Sequence, residues 1–471
     1  MLETITNIGK TIDLYAGPSK VAIIDLSYPE PKSITYQELD NMADAVARGL
    51  SSQGIQIGNK VAMLADNSIG YVATFFGIMR IGAIPVLINN KLTPEQISFI
   101  VNESESKLVL TKFDEYLDYG RFETYQPNEE DPAFLLYTSG SYGDPKGAVI
   151  THKRHAWSIL RYTTNDKAWS SKRITLISAP LYHANGLTTL EGSIAGHSTI
   201  VLLPKFDAQI CLQSIEKYKI NTIYGIPTML AMMMQESNIR DFNLTSVRQI
   251  RLASSPMSQK LIDNINQYFP NTIITNNYGI TEVGPGLFGA HPDNLPRPPA
   301  SVGYPYPGIE YRLVNGILEI KSPSMMTSYY KRENPSITKD GFFITNDLFE
   351  VDQHGFYYFK GRSDDMFKCG GNSVYPSQVE TLLEKHPSVA SAFVLGLPDD
   401  IKGYRPYAFV ILERGATTTE EELKEYTLQN GPAYQHPRRV WFVDRFPLAG
   451  TNKINKKELE NIAVSLLTNQ K

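Results

Sequence analysis

The sequence predicts an α/β protein. A large N-terminal domain of parallel-rich sheets with flanking helices carries a small antiparallel unit and is followed by a small, mobile α+β C-terminal domain. Three observations predict it. Short apolar runs alternate with helical patterns between residues 33 and 254, as in a parallel sheet covered by helices. Between 301 and 361 the pattern changes to short strands with Gly-containing turns, "VNGILEI" and "GFYYFKG" among them. From 363 onward a separate strand–helix pattern begins. The 471 residues exceed the ~100–200 of one ordinary domain, and the expected division is 1–361 and 362–471.

Residues 33–52 read as a capped amphipathic helix. Thr35 and Glu38 make a capping-box pair, Leu39, Met42, Ala43, Val46 and Leu50 follow helical spacing, and Gly54 supplies a stop. "KVAMLA" (60–65) suits a buried strand. A helix over 69–82 and the strand "IPVLIN" (84–89) come next. In "LTPEQISFIVNES", Thr93 caps, Pro94 takes the first helical position and Gln96 completes the box. "KLVLT" (107–111), "RITLISAP" (173–180), "STIVLLP" (198–204), "INTIYGIP" (220–227) and "VRQIRLAS" (247–254) are further strands. Near the end, "VYPSQVETLLEKH" is helical, and "SAFVLGLP" and "PYAFVILE" are strands.

Apolar content of 42% and charged content of 20% are globular values. A net charge of −4 argues against a nucleic-acid binder or a polybasic membrane protein. No apolar run reaches the ~18–20 residues that span a bilayer. The nearest, "GIMRIGAIPVLI", is interrupted by Arg80 and Pro85. "MLETITNIGK" lacks the basic stretch and apolar core of a secretory signal. Cys211 and Cys369 show neither a disulfide framework nor metal spacing. The expectation is a cytoplasmic protein.

One loop stands out. "LLYTSGSYGDPKGAVITH" (135–152) gathers Thr138, Ser139, Gly140, Ser141, Gly143 and Gly147 around Lys146, between two strand-like runs. Backbone N–H groups in such a loop can point at phosphate oxygens, and hydroxyls and a lysine add donors. The Walker spacing is absent, because Gly147 follows the lysine where Ser or Thr would stand. The loop resembles instead the phosphate loop of the adenylate-forming enzymes: acyl- and aryl-CoA synthetases, luciferases and peptide-synthetase adenylation domains. Four further segments match in that family's order: "NNYGITE" (276–282), "TND" (345–347), "GRSDDMFKCGG" (361–371) and "PLAGTNKINK" (447–456). The departures are Tyr142 for a small Ser or Thr, Asn346 for Gly and Asn452 for Gly.

The resemblance implies a carboxylate–CoA ligase. A substrate carboxylate attacks the α-phosphorus of ATP and pyrophosphate leaves; a thiol then displaces AMP. It implies ATP and Mg²⁺ as cofactors and coenzyme A as cosubstrate. Thr138, Ser139, Gly140, Ser141, Gly143 and Lys146 would hold the β- and γ-phosphates. Glu282 would hold Mg²⁺, with Thr281 beside the α-phosphate. Tyr278 would stack on adenine, flanked by Asn277, Gly279, Ser254 and Ser255. Asp347 and Arg362 would hold the ribose. Lys453 would reach the carboxylate and α-phosphate during adenylation. Asp364 would be the hinge, and rotation about it would bring Lys368, Gly370 and Gly371 to the site for thioester formation.

His183, Asn185, Gly186, Ile226, Val283 and Gly284 would line the acid pocket, with Ser254 and Ser255 narrowing it. No acidic residue lies between Pro180 and Thr189, which argues against an α-amino acid. The expected substrate is a small or aromatic carboxylic acid. Carrier-protein phosphopantetheine is the alternative acceptor. A homologue that has lost catalysis and a luciferase-like oxidoreductase are the readings from other classes.

Overall fold

A computed structural model describes residues 6–13, 17–138, 144–164, 172–333 and 336–468. The first predicted helix forms over Tyr36–Ser52, and both halves of its capping box are present. Glu38 N donates to Thr35 Oγ1 at 3.2 Å, and Thr35 N donates to Glu38 Oε2 at 2.8 Å. The helix starts later than the predicted 33 because Lys32–Thr35 is a strand paired antiparallel with Val21–Asp25. Helix Pro94–Ser104 carries the second predicted box, with Pro94 in its first turn. Helix Ile69–Ile81 is buried on every side, Arg80 included. That guanidinium is satisfied by the Gly9 carbonyl at 2.8 Å, by Asp44 at 2.6 Å and by Asp40. A buried cation is tolerated only when paired in this way.

The predicted strands assemble into two mixed sheets. A seven-stranded sheet runs in the order Ile273–Asn277, Gln249–Ala253, Thr222–Gly225, Ile174–Ile177, Thr199–Leu202, Val21–Asp25, Lys32–Thr35, all parallel except the last pair. A five-stranded sheet runs Ser106–Leu110, Lys60–Met63, Ile84–Leu87, Pro132–Thr138, Lys146–Thr151. Its last two strands are an antiparallel hairpin whose final pair is Thr138 with Lys146, so the lysine-bearing loop is the hairpin's tip. Tip residues Ser139, Gly140, Ser141, Tyr142 and Gly143 lie outside the described residues.

The antiparallel unit is a four-stranded sheet of Glu310–Val314, Ile317–Lys321, Phe343–Val351 and Tyr357–Arg362. One 3₁₀ turn, Ser363–Asp365, joins it to the last sheet. There Phe367–Cys369, Asn372–Val374, Val389–Asp399, Gly403–Leu412 and Val440–Phe442 close over a core of their own, with Val374, Val379, Leu383 and Val410 at its centre. Cys211 and Cys369 are buried free thiols.

The C-terminal part meets the rest across a cavity of about 1110 Å³. Two carboxyls one helical turn apart on Pro376–Glu384, Glu380 and Glu384, face it. Glu380 accepts from Val394 N at 2.9 Å, yet enclosure by protein, with Glu384 and Asp365 nearby, pushes its pKa up from 4.5 to about 8. The folded state therefore binds a proton that the unfolded chain releases above 4.5. The stabilisation this brings is complete below 4.5 and lost as pH rises to about 8. Glu380→Gln is expected to raise the melting temperature at pH 8 and to leave it nearly unchanged at pH 4.5. An equal shift at both values would contradict this.

Candidate active site

Parallel strands end where open α/β sheets bind ligands, at their carboxyl edge. Gln249–Ala253 delivers Ser254 and Ser255 there, and Ile273–Asn277 delivers Asn277, Tyr278 and the turn to Gly284. Ile174–Ile177 leads into Pro180–His183. These ends, the phosphate-loop hairpin, the antiparallel sheet and the loop bearing Lys453 enclose a cavity of about 830 Å³. Ser254 sits there with a left-handed φ of 71°, a strained conformation of the kind that clusters at functional sites.

At the phosphate end, Lys146 Nζ lies 5.5 Å from the centre of the Tyr329 ring, and Tyr329 donates its hydroxyl to Glu282 Oε1 at 2.7 Å. Thr281 and Glu282 both line the cavity. Among the described residues no three His, Cys, Asp or Glu side chains gather as a metal cluster. One carboxylate facing a phosphate loop suits Mg²⁺, which takes one or two protein carboxylates and completes its shell with nucleotide phosphates and water.

At the opposite wall, Asp347 is buried. Its Oδ2 accepts from the Tyr278 hydroxyl at 2.6 Å and its Oδ1 from Arg362 at 3.0 Å. Burial pushes its pKa up to about 6 against the opposing pull of Arg362, the Tyr278 hydrogen bond and Lys453. Asn346 takes a left-handed φ of 58°, a conformation open to asparagine as well as glycine. The Tyr278 ring is packed edge-on against Phe349, with centroids 4.9 Å apart. It is thus a buried support of Asp347 as well as a cavity wall, beyond the stacking surface expected of it.

Lys453 is the cation at the centre. Burial lowers its pKa, while Asp347 and Glu282 pull it back up. His183 caps helix Ala184–Ala195 by backbone alone, with no side-chain cap bond. Burial, helped by Lys453, drops its pKa to about 3, so its imidazole is neutral. The lysine's loop carries Asn452 at φ 60°.

Most of the expected residues meet in this cavity: Thr138, Lys146, His183, Asn185, Ser254 and Ser255 from the sheets, and Asn277, Gly279, Thr281, Glu282 and Gly284 from the turn after them. Tyr278, Asp347, Arg362, Asp364 and Lys453 join them. Three expected acid-pocket residues do not. Gly186 faces the Pro180 backbone, whose carbonyl oxygen would stand 2.2 Å from an added Cβ, so its role is a close helix approach. Ile226 and Val283 point into apolar packing, 3% and 0% exposed. Lys368, Gly370 and Gly371 do not line it: Lys368 is in strand Phe367–Cys369, and the two glycines form the turn between that strand and Asn372–Val374.

Sequence reasoning passed over four contributors. Tyr329 links Lys146 to Glu282, and Tyr182 touches the lysine loop. Arg251 reaches the cavity with one nitrogen on the Tyr224 hydroxyl at 2.9 Å. His155 reaches it with Nε2 2.6 Å from fully buried Glu191. A charged residue inside an apolar strand, "QIRLA", and a glutamate inside the apolar helix after His183 were the available signals.

The AMP-binding enzyme family model matches residues 13–128 and 113–330, and that of the AMP-binding enzyme C-terminal domain matches 378–453. The chain belongs to the AMP-binding enzymes. A feruloyl-CoA synthase of Amycolatopsis sp is 28% identical over 91% of this chain and 93% of its own. An anthranilate CoA ligase solved with anthranoyl-AMP superposes with a TM-score of 0.87 at 26% identity, covering 97% of each chain. The o-succinylbenzoate CoA synthetase of Bacillus subtilis, solved with ATP and a magnesium ion, gives 0.80 at 27% identity over 96% of this chain and 98% of its own. This AMP-binding enzyme is thus an AMP-forming acid–CoA ligase working through an acyl-adenylate, with ATP, Mg²⁺ and CoA as its reactants and cofactor. No helix among the described residues is long and apolar enough to cross a membrane.

Proposed function

We propose that this ligase activates a small or aromatic carboxylic acid bearing a polar substituent and hands it to CoA in the cytoplasm. The observation that carries the reading is the burial of Lys453 between Asp347 and Glu282 in one cavity with the phosphate-loop lysine. Phe134, Tyr224 and the hydrogen-bonding Asn185, His155 and Arg251 share that cavity, which suits a ring with a polar group better than a long alkyl chain. The names of the feruloyl and anthranilate relatives support the same class.

In this reading Lys453 orients the acid's carboxylate against the α-phosphorus and offsets the charge that gathers as the P–O bond to pyrophosphate breaks. Asp347, held by Tyr278 and Arg362, accepts from the ribose hydroxyls. Glu282, held by Tyr329, would hold magnesium, whose charge would offset that of the phosphates. The neutral His183 and the buried walls keep water from the mixed anhydride. The C-terminal part, 362–471, then turns about Asp364 against 1–361. Lys453 withdraws, and Lys368 with the turn of Gly370 and Gly371 arrives as the thiol attacks.

Incubation with ATP, Mg²⁺, CoA and a panel of carboxylic acids, followed for pyrophosphate and thioester by mass spectrometry, tests this. Thioester with aromatic or short polar acids is the expected result. Adenylate without thioester would favour a carrier-protein acceptor. Release of no acid-dependent pyrophosphate would overturn the reading.

A further inference from the structure

The loop that carries Lys453 accepts a hydrogen bond from the other side of the site, beside a longer contact of Asn452 Nδ2 with Met229 Sδ at 3.9 Å. Tyr182 donates its hydroxyl to the Gly450 carbonyl at 2.7 Å, across 268 positions of sequence. Both ends of that bond are built rigidly. On the donor side, the Asn67 side chain accepts from Leu181 N at 2.8 Å and donates to the Ala179 carbonyl at 3.0 Å, so the backbone entering Tyr182 is clamped. The tyrosine itself is 6% exposed. Burial and nearby Asp66 raise its pKa, so the hydroxyl keeps the proton it donates.

On the acceptor side, Ala449 N donates to the Lys453 carbonyl at 2.8 Å and Asn455 N to the Pro447 carbonyl at 2.8 Å. Gly450 and Lys453 therefore belong to one closed turn and move together. The tip of that turn is wedged so tightly that a Cβ on Gly450 would stand 2.6 Å from Asn89 Oδ1 and 2.8 Å from Lys91 Cβ.

We propose that Tyr182 is a positioning residue for Lys453: it registers the lysine's turn against the acid pocket and so serves the adenylation half-reaction alone. The next residue in the chain, His183, feels the charge of Lys453 directly. One short segment thus lines the pocket with one side chain and holds the catalytic turn with its neighbour. The bond exists only with the C-terminal part in the orientation described here. Any step in which that part has turned away is made without it. The proposal rests on the adenylating role given to Lys453 above.

Tyr182→Phe tests it, because it removes one hydroxyl and keeps the buried ring. Acid-dependent ATP–pyrophosphate exchange is expected to fall about tenfold through kcat, the size of one lost hydrogen bond. Thioester formation from a chemically made acyl-adenylate and CoA is expected to keep its wild-type rate. In a Lys453→Ala background the substitution should have no further effect on exchange. A general structural defect would slow both half-reactions and add to Lys453→Ala, and either result overturns the proposal. Limited trypsinolysis gives a readout without turnover: cleavage after the half-buried Lys453 should be faster in Tyr182→Phe than in wild type. Unchanged cleavage would overturn the tethering role even if the acid were never found. Faster cleavage with no adenylation in wild type would uphold the tether and sink the function proposed for the site.

Discussion

Lys453→Ala is expected to slow acyl-adenylate formation by about 10²–10³-fold, the range seen when one preorganised donor is removed from a developing charge. The ammonium sits in a half-buried side chain whose counter-charges are Asp347 and Glu282. Water cannot replace it at the same place without leaving those carboxylates to repel the incoming acid. The loss should appear in kcat of pyrophosphate exchange with a small change in the KM for ATP, since in the proposed reading Lys146 and Asp347 would still hold the nucleotide. Lys453→Arg should recover little, because a planar guanidinium does not fit the space of a compact ammonium. The pH profile adds a check. Burial lowers the lysine's pKa, so adenylation should decline on the alkaline side at a lower pH than an exposed lysine would allow. Wild-type rates of exchange in Lys453→Ala would remove this residue from the mechanism.

Asp347→Asn is expected to weaken nucleotide binding by about 10–100-fold, the worth of a hydrogen bond to a charged acceptor. It should also abolish a pH dependence. The wild-type carboxyl has its pKa pushed up to about 6 by burial, so below pH 6 it is protonated and a poorer acceptor for the ribose. AMP affinity measured by calorimetry should fall as pH drops through 6 in wild type and stay flat in Asp347→Asn. Stability should move the other way. The folded pKa lies above the ordinary 3.8, so the stabilising contribution of the protonated form is full below 3.8 and lost as pH rises to about 6. The neutral amide should therefore raise the melting temperature of the ligand-free protein at pH 7. A lowered melting temperature there would show that the Arg362 pair outweighs the cost of burial, and an unchanged affinity would remove Asp347 from nucleotide binding.

Some of this was determined by the sequence alone, wherever the cause is local. The capping boxes at Thr35 and Thr93 are made by residues three apart, so they are legible without any fold. The strands from Lys60 to Ala253 are short apolar runs, and their order in the chain points to parallel sheets. Five motif segments identify the chemistry because each is a contiguous stretch. Length and register were less legible: residues 33–35 belong to a strand because Val21–Asp25 offers them a partner, which no local signal announces.

Only the tertiary structure decided which of two neighbours faces the cavity. Glu282 and Gly284 line it while Val283 between them points into the core, and Asn185 lines it while Gly186 packs on the Pro180 backbone. It also decided the supports. Tyr329 under Glu282, Glu191 behind His155 and Tyr182 beneath the Lys453 turn are set by contacts between residues 36 to 268 positions apart. A motif records which side chains meet the substrate. What holds those side chains is chosen by burial and by hydrogen-bond geometry, and these exist only after distant elements pack together.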